Sequence, residues 1–222
     1  MVTEIESLVE SYWRDAEAIR VLDAGCGRRC ALDLDRRARI TGIDVSSDLL
    51  DQNPALDERV VGSVETVVLL PRSFDIVVCW DVLEHLDDPD AALDNLAAAV
   101  REGGLLVLKV PNVLSWKGLL TKFTPYTFHR CIYRRFRLAS NDPFPTTLRL
   151  SIAPPAIVRW ARHRGFSVRY FAQWEAAYQR QLRQRLRVEG KLWSALRALL
   201  SILSLGRIDA EHTDCALVFE KA

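Results

Sequence analysis

The sequence predicts an α/β fold, a mostly parallel sheet with helices on both faces, and three observations predict it. VLDAGCG (21–27) and ITGIDVS (40–46) each run an apolar segment into an aspartate, Asp23 and Asp44, with a glycine-paired turn between them. FDIVVCW (74–80) is a nearly continuous apolar run, as a strand buried on both faces must be. A helical pattern at 89–101 then leads to a further apolar run at 105–110, so strand and helix alternate.

Taken in order, residues 3–18 read as an opening helix, with Ile5, Leu8, Val9 and Tyr12 or Trp13 at helical spacing. The first strand spans 18–23 and the second 39–44. Only twelve residues separate Gly27 from Ile40, near the minimum for a parallel crossover, so the first crossover helix must be short or replaced by a loop. Ser46, Ser47 and Asp48 offer cap chemistry for a short helix stopped by Asn53-Pro54, and a brief third strand covers 59–61. The fourth strand is 74–80. Asp87-Asp88-Pro89 opens the helix 89–101, which Gly103-Gly104 ends before the fifth strand, 105–110. After Asn112 the pattern changes to an aromatic, arginine- and proline-rich stretch, 113–150, read as a cap insertion. Ser151 and the two prolines after Ala153 open a helix at 154–164 stopped by Gly165. Residues 166–174 alternate like a strand, 175–205 read as one basic helix, and 214–221 form the last strand.

At 222 residues the chain has room for one domain with a full core: core segments 1–112 and 151–222 around the cap. Five scattered cysteines without a C-x-x-C pair suit reduced thiols better than a disulfide or zinc framework. The acidic, amphipathic N-terminus does not resemble a signal peptide, and no run of eighteen apolar residues occurs, so a cytoplasmic location is expected. The net charge of +1 hides an asymmetry. Residues 1–112 carry 11 Lys/Arg against 22 Asp/Glu, whereas 113–207 carry 18 against 3. A half this basic suits an anionic partner, or else balances an acidic surface within one fold.

Gly25 and Gly27 remove Cβ atoms where backbone N–H groups would approach a ligand. A helix starting near Arg28 would aim its positive end at a carboxylate or phosphate. Asp44 would accept hydrogen bonds from a ribose diol. These residues point to an adenosine-type cofactor. A dinucleotide fingerprint fails, since Cys30 stands at the third glycine position of G-x-G-x-x-G.

The wording VLDAGCG…GIDVS resembles class I S-adenosylmethionine-dependent methyltransferases, and FDIVVCWDVLEHLDDPDAALDNLAAAVREGGLLVLKVPN is similar to the same superfamily. The resemblance covers about residues 20–112, with one departure: Arg29 stands where those enzymes carry a third glycine. It implies a Rossmann-like seven-stranded sheet in the order 3-2-1-4-5-7-6, closed by an antiparallel pair. It implies S-adenosyl-L-methionine as cofactor, with Asp23, Ala24, Gly25 and Gly27 lining its methionine end and Asp44 on the ribose. Val45 would lie against the adenine, Ser63 would meet its amino group with Val64 on the ring, and the Trp80 backbone would lie beside the methionine amino group. Arg28 or Arg29 would pair with the methionine carboxylate, or simply be solvated.

For the chemistry itself, Asp81, Glu84 and His85 fall at i, i+3 and i+4 and would share one side of a helix. Asp-x-x-Glu is equally a capping box. A proton-acceptor role for Asp81 or His85 is one alternative. A divalent-metal site is another, by likeness to methyltransferases of small RNAs and quinone precursors that carry E-x-x-E-H, with His129 as the later ligand. His129 is the preferred general base for a hydroxyl acceptor. Trp116, Phe123, Tyr126, Phe128, Tyr133 and Phe136 would wall an acceptor pocket or form the core of a lid. Arg130, Arg134, Arg135 and Arg137 suit a phosphate or carboxylate, or are solvated. The leucines of 175–205 repeat at helical intervals, which fits a membrane surface, a dimer seam or packing on the parent fold. The expected function is methyl transfer to oxygen of a small-molecule or lipid-linked acceptor. The alternatives are an RNA methyltransferase, though no RNA-binding module is recognisable, and a cofactor-binding protein without turnover.

Overall fold

Alternation along the central strands divides the buried side chains between two faces of one sheet. Leu106, Leu108 and Val110 pack with Val77 and Cys79 on one side, while Leu105 and Val107 pack with Ile76 and Val78 on the other. The computed structural model describes residues 2–34, 37–118, 124–136, 146–147 and 149–222, with the backbone alone for His129, Tyr133 and Phe136. Its strands are β1 (Ile19–Ala24), β2 (Ala38–Asp44), β3 (Glu58–Val61), β4 (Phe74–Trp80), β5 (Val100–Pro111), β6 (Phe166–Trp174) and β7 (Asp214–Lys221). They form a seven-stranded sheet in the order β3-β2-β1-β4-β5-β7-β6, as the resemblance implied. Strands β1 to β5 are parallel, and β7 runs antiparallel to both β5 and β6. Antiparallel entry sets the first residue of β7, Asp214, opposite the last of β5, Pro111. The start of β7 therefore joins the carboxyl ends of β1, β2, β4 and β5 on one rim, where ligands of such sheets bind.

The helices are α1 (Val2–Tyr12), α2 (Ser47–Asp51), α3 (Pro89–Ala99), α4 (Tyr126–Phe136), α5 (Pro154–His163), α6 (Ala177–Arg185) and α7 (Gly190–Leu203). Leu93 and Leu96 of α3 and Ile157 of α5 fill the first face; Ile5 and Val9 of α1 fill the second. Local chemistry explains several ends. Ser46 Oγ accepts from the Leu49 N–H at 3.3 Å, and Asp88 accepts from the Ala91 N–H at 3.0 Å with Pro89 in the first turn. The cap expected from Ser151 is absent: Ala153 takes that position without a side-chain bond, and the prolines start α5 by their fixed φ.

Three expectations are corrected. The first helix stops at Tyr12, where the Arg37 guanidinium donates to the carbonyls of Trp13, Arg14 and Ala16. Gly103 and Gly104 lie inside β5 instead of ending a helix, since α3 ends at Ala99 and the register with β4 slips between Phe74 and Ile76. Gly103 holds φ 70 there, the left-handed conformation a bulge asks of glycine. Residues 175–205 are two helices, α6 and α7, because Arg187 (φ 56) and Gly190 (φ 55) turn the chain between them.

Candidate active site

After β1 the backbone makes a turn that only glycines enter without strain, Gly25 at φ 73 and Gly27 at φ 51. The Gly25 and Cys26 N–H groups both donate to the Ile43 carbonyl, at 2.7 and 3.2 Å. The Gly27 N–H donates to Asp44 Oδ2 at 2.9 Å, and the Ser46 N–H donates to Asp44 Oδ1 at 2.9 Å. One carboxylate thus ties the glycine turn to the start of α2. A Cβ at Gly25 would lie 2.3 Å from Val82 Cγ2, so this turn also sits tightly against the chain leaving β4. A Cβ at Gly27 would meet nothing within 4 Å. Val45, next to Asp44, is 74% exposed, an apolar side chain open at a strand tip.

Among the described residues no helix follows Gly27 before β2; residues 28–34 are turn and loop, one of the two outcomes the length allowed, so the helix end expected near Arg28 does not form. Asp23 braces that loop. It is 3% exposed, its Oδ2 accepts from the Ala31 N–H at 3.0 Å, and burial pushes its carboxyl up to about 6. Ala24, beside it, is wholly buried, so any ligand contact there is through backbone. Arg28 and Arg29 are exposed. At the tip of β3, the Ser63 hydroxyl donates to Glu65 Oε2 at 2.9 Å. Val64, expected on the adenine ring, is 4% exposed and packs in the core.

The chain leaving β4 differs most from expectation. Asp81 stands at φ 56, before a single 3-10 turn, Leu83–His85, so Asp81, Glu84 and His85 do not share one side of a helix. The capping box is absent too, since Val82 caps the turn without a side-chain bond. Glu84 turns inward at 5% exposure and His85 outward, with His85 Nε2 3.9 Å from Glu84 Oε1. Glu84 Oε2 accepts no hydrogen bond among the described residues. Burial, with the Asp81 carboxylate adding to it, pushes the Glu84 carboxyl up to about 7.

The cationic partners on this rim carry no sequence motif. Lys109 of β5, opposite Trp80, contacts Asp81 through its ammonium and reaches Asp214 Oδ1 at 2.9 Å. Burial alone would lower the Lys109 pKa, but Asp214 and Asp81 hold it above the usual lysine value. Thr213 Oγ1 donates to Asp214 Oδ2 at 2.8 Å. Lys117 donates to the Tyr178 hydroxyl and lies 4.7 Å above that ring; burial lowers its pKa. Asp81 is therefore committed to an ammonium, and among the described residues no three His, Cys, Asp or Glu side chains are placed to hold a metal. Of the set that the E-x-x-E-H likeness offered, the described side chains Asp81, Glu84 and His85 do not converge on one point.

The cap residues divide. Trp116 meets Trp193 of α7 edge-on, with ring centroids 6.2 Å apart. Tyr126 and Phe128 are exposed on α4, whose Thr127, Arg130, Arg134 and Arg135 line an open groove of about 580 Å³. His129 lies on α4, but its side chain, those of Tyr133 and Phe136, and all of Phe123 and Arg137 lie outside the described residues.

A glycine turn tied to an acid at the next strand tip, on a 3-2-1-4-5-7-6 sheet, is the setting in which comparison with known proteins decides the family. A family profile described as a methyltransferase domain matches residues 3–170. This chain belongs to the methyltransferase-domain family. One curated relative, the ubiquinone biosynthesis O-methyltransferase of Xanthomonas campestris pv. campestris (strain B100), is 34% identical over 103 residues, 42% of this chain and 43% of that one. The chain spans less than half the length of the curated relatives it matches. Among solved structures, magnesium protoporphyrin IX methyltransferase from Synechocystis PCC 6803, with bound SAM, aligns at TM-score 0.54 and 14% identity, covering all of this chain and 79% of that one. The [4+2]-cyclase SpnF aligns at TM-score 0.57 and 16% identity, covering 98% and 80%. Both likenesses concern the fold of this methyltransferase domain.

Proposed function

We propose that this methyltransferase domain moves the methyl group of S-adenosyl-L-methionine to an oxygen of a small-molecule acceptor. The observation that carries the reading is the Gly27 N–H bound to Asp44 beside an open Cβ position and an exposed Val45. Those residues fit the cofactor: Asp44 has lone pairs left for a ribose diol, Val45 offers an apolar face, and the turn from Gly25 to Gly27 brings bare backbone to the methionine end. Bound there, the cofactor supplies an electrophilic methyl on sulfonium, so the protein's task is to place the acceptor and receive its proton.

Oxygen is the favoured acceptor atom because the rim beyond β4 and β5 carries a buried carboxyl, Glu84, able to exchange a proton near neutrality. Glu84 is held up to about 7, His85 faces outward, and Lys117 is lowered by burial. His129, on α4, keeps the general-base role that the sequence suggests. The O-methyltransferase name of the Xanthomonas relative agrees with this choice. A second reading, cofactor binding without methyl turnover, is favoured by Arg29 in place of the third glycine and by the crossover, helix-free among the described residues. Calorimetry with S-adenosylhomocysteine tests the cofactor site: the wild-type chain should give binding heat and Asp44→Ala should abolish it. An absence of heat from the wild type overturns the whole reading. Heat without transfer of labelled methyl to any phenolic or enolic acceptor leaves only the second.

A further inference from the structure

Helix α7 carries its apolar side outward. Trp193, Arg197, Leu200 and Ser204 are its half-buried positions, and no residue of the helix is fully buried. Trp193 holds it down, edge-on to Trp116 and 4.5 Å beneath the Arg183 guanidinium, while Arg197 pairs with Glu211. Leu192, Leu196, Leu199 and Leu203 follow at steps of four, three and four, one stripe on the flank of that inner edge. All four are exposed, Leu203 to 72%, and Ile202 (71%) and Leu205 (81%) extend the stripe toward the helix end. Removing leucine side chains from water is favourable, so an open row of them is a surface with a partner.

The cations around the stripe say which partner. Arg185, Arg187 and Lys191 lead from α6 into α7, and Arg207 follows it, each without an acidic partner among the described residues. The remaining basic residues of this region are satisfied, Arg180 and Arg183 by Glu175 and Arg197 by Glu211. Between residues 176 and 208 the sole acidic residue is Glu189. A two-fold dimer through this face would set the unpaired cations against their own copies, where like charges repel. A lipid surface with anionic headgroups meets both needs, acyl chains for the leucines and phosphates for the arginines. No described helix is long and apolar enough to cross a membrane, so the contact is interfacial.

We infer that α7 and the basic turn before it form a docking surface for an anionic lipid bilayer. Trp193 sits on Trp116, the neighbour of Lys117, so docking places the proposed acceptor rim close to the bilayer. The lipid contact stands whether or not methyl transfer to oxygen does. The test is co-sedimentation of the whole protein with phosphatidylcholine vesicles, with and without phosphatidylglycerol, at low and raised salt. The wild type should sediment with the anionic vesicles at low salt, and added salt should release part of it. Leu199→Glu combined with Leu203→Glu should weaken binding about tenfold or more, because exposed positions are changed and the fold is not. Arg185→Ala, Arg187→Ala and Lys191→Ala together should remove the preference for phosphatidylglycerol. Unchanged circular dichroism and S-adenosylhomocysteine affinity confirm that both variants fold. Failure of the wild type to bind anionic vesicles at low salt overturns the inference. So does equal binding by the leucine variant, or a vesicle-free dimer that the leucine variant dissociates.

Discussion

At Gly25 and Gly27 the same residue type serves two different ends, and substitution separates them. Gly25→Ala must bring a methyl group to a φ of 73 and within 2.3 Å of Val82 Cγ2. Left-handed backbone costs about 1–2 kcal/mol and overpacking about 1–3 kcal/mol more, so denaturant unfolding should show a loss of roughly 2–5 kcal/mol. Val82→Ala in the same chain should restore the packing part alone. Gly27→Ala meets open space, so its loss should stay near 1 kcal/mol while S-adenosylhomocysteine affinity falls, since the methyl enters the cofactor's place. Equal behaviour of the two variants would contradict the placement. Lys117 allows a similar separation. A buried ammonium that donates to a phenol is expensive to keep, and replacement of buried charges by apolar side chains is often neutral or stabilising. Lys117→Met should therefore unfold no more readily than the wild type while methyl transfer drops about a hundredfold. If both fall together, Lys117 is a structural residue and the acceptor rim lies elsewhere.

At the scale of elements, what was legible in the sequence was whatever a short run of chain decides by itself. The apolar runs ending in Asp23 and Asp44, the FDIVVCW strand and the Asp88-Pro89 start of α3 all appear where their own residues place them. That the first crossover has no room for a full helix followed from chain length alone. Three features were hidden because two segments decide them jointly. Gly103 looked like a helix stop, but the bulge there is set by β5 sliding against β4. Leucine periodicity carried one helix across 175–205, although Gly190 marked the break and Arg187 completes it. The Asp81–Lys109–Asp214 bridge joins the ends of three strands brought together by the sheet order, so no spacing could announce it. The Asp81, Glu84 and His85 spacing misled for a physical reason: a helical reading assumes continuous turns, and Asp81 leaves the strand in the left-handed conformation.

Across the whole molecule, the rim residues leave a signature in stability against pH. Burial raises Asp23 to about 6 and Glu84 to about 7, each above its unfolded value, so the native state binds protons that the unfolded chain has already released. Their contribution is fully present below about pH 4 and is lost as pH rises through 6 and 7. Asp94 acts in the opposite sense. Burial would raise it, but Arg164 and Trp160 hold it below the ordinary carboxyl range, so its contribution fades only in acid below about pH 4. Urea midpoints should therefore climb as pH falls from 8 to 5 and turn over only below that. Glu84→Gln should flatten the upper part of the climb, by an amount on the order of 2–3 kcal/mol. An acid kept partly protonated near neutrality is poor design for stability and good design for a group that exchanges a proton with an acceptor. A midpoint that stays level or rises from pH 5 to 8 would mean that Glu84 and Asp23 reach solvent, and would remove Glu84 from the proton-handling rim.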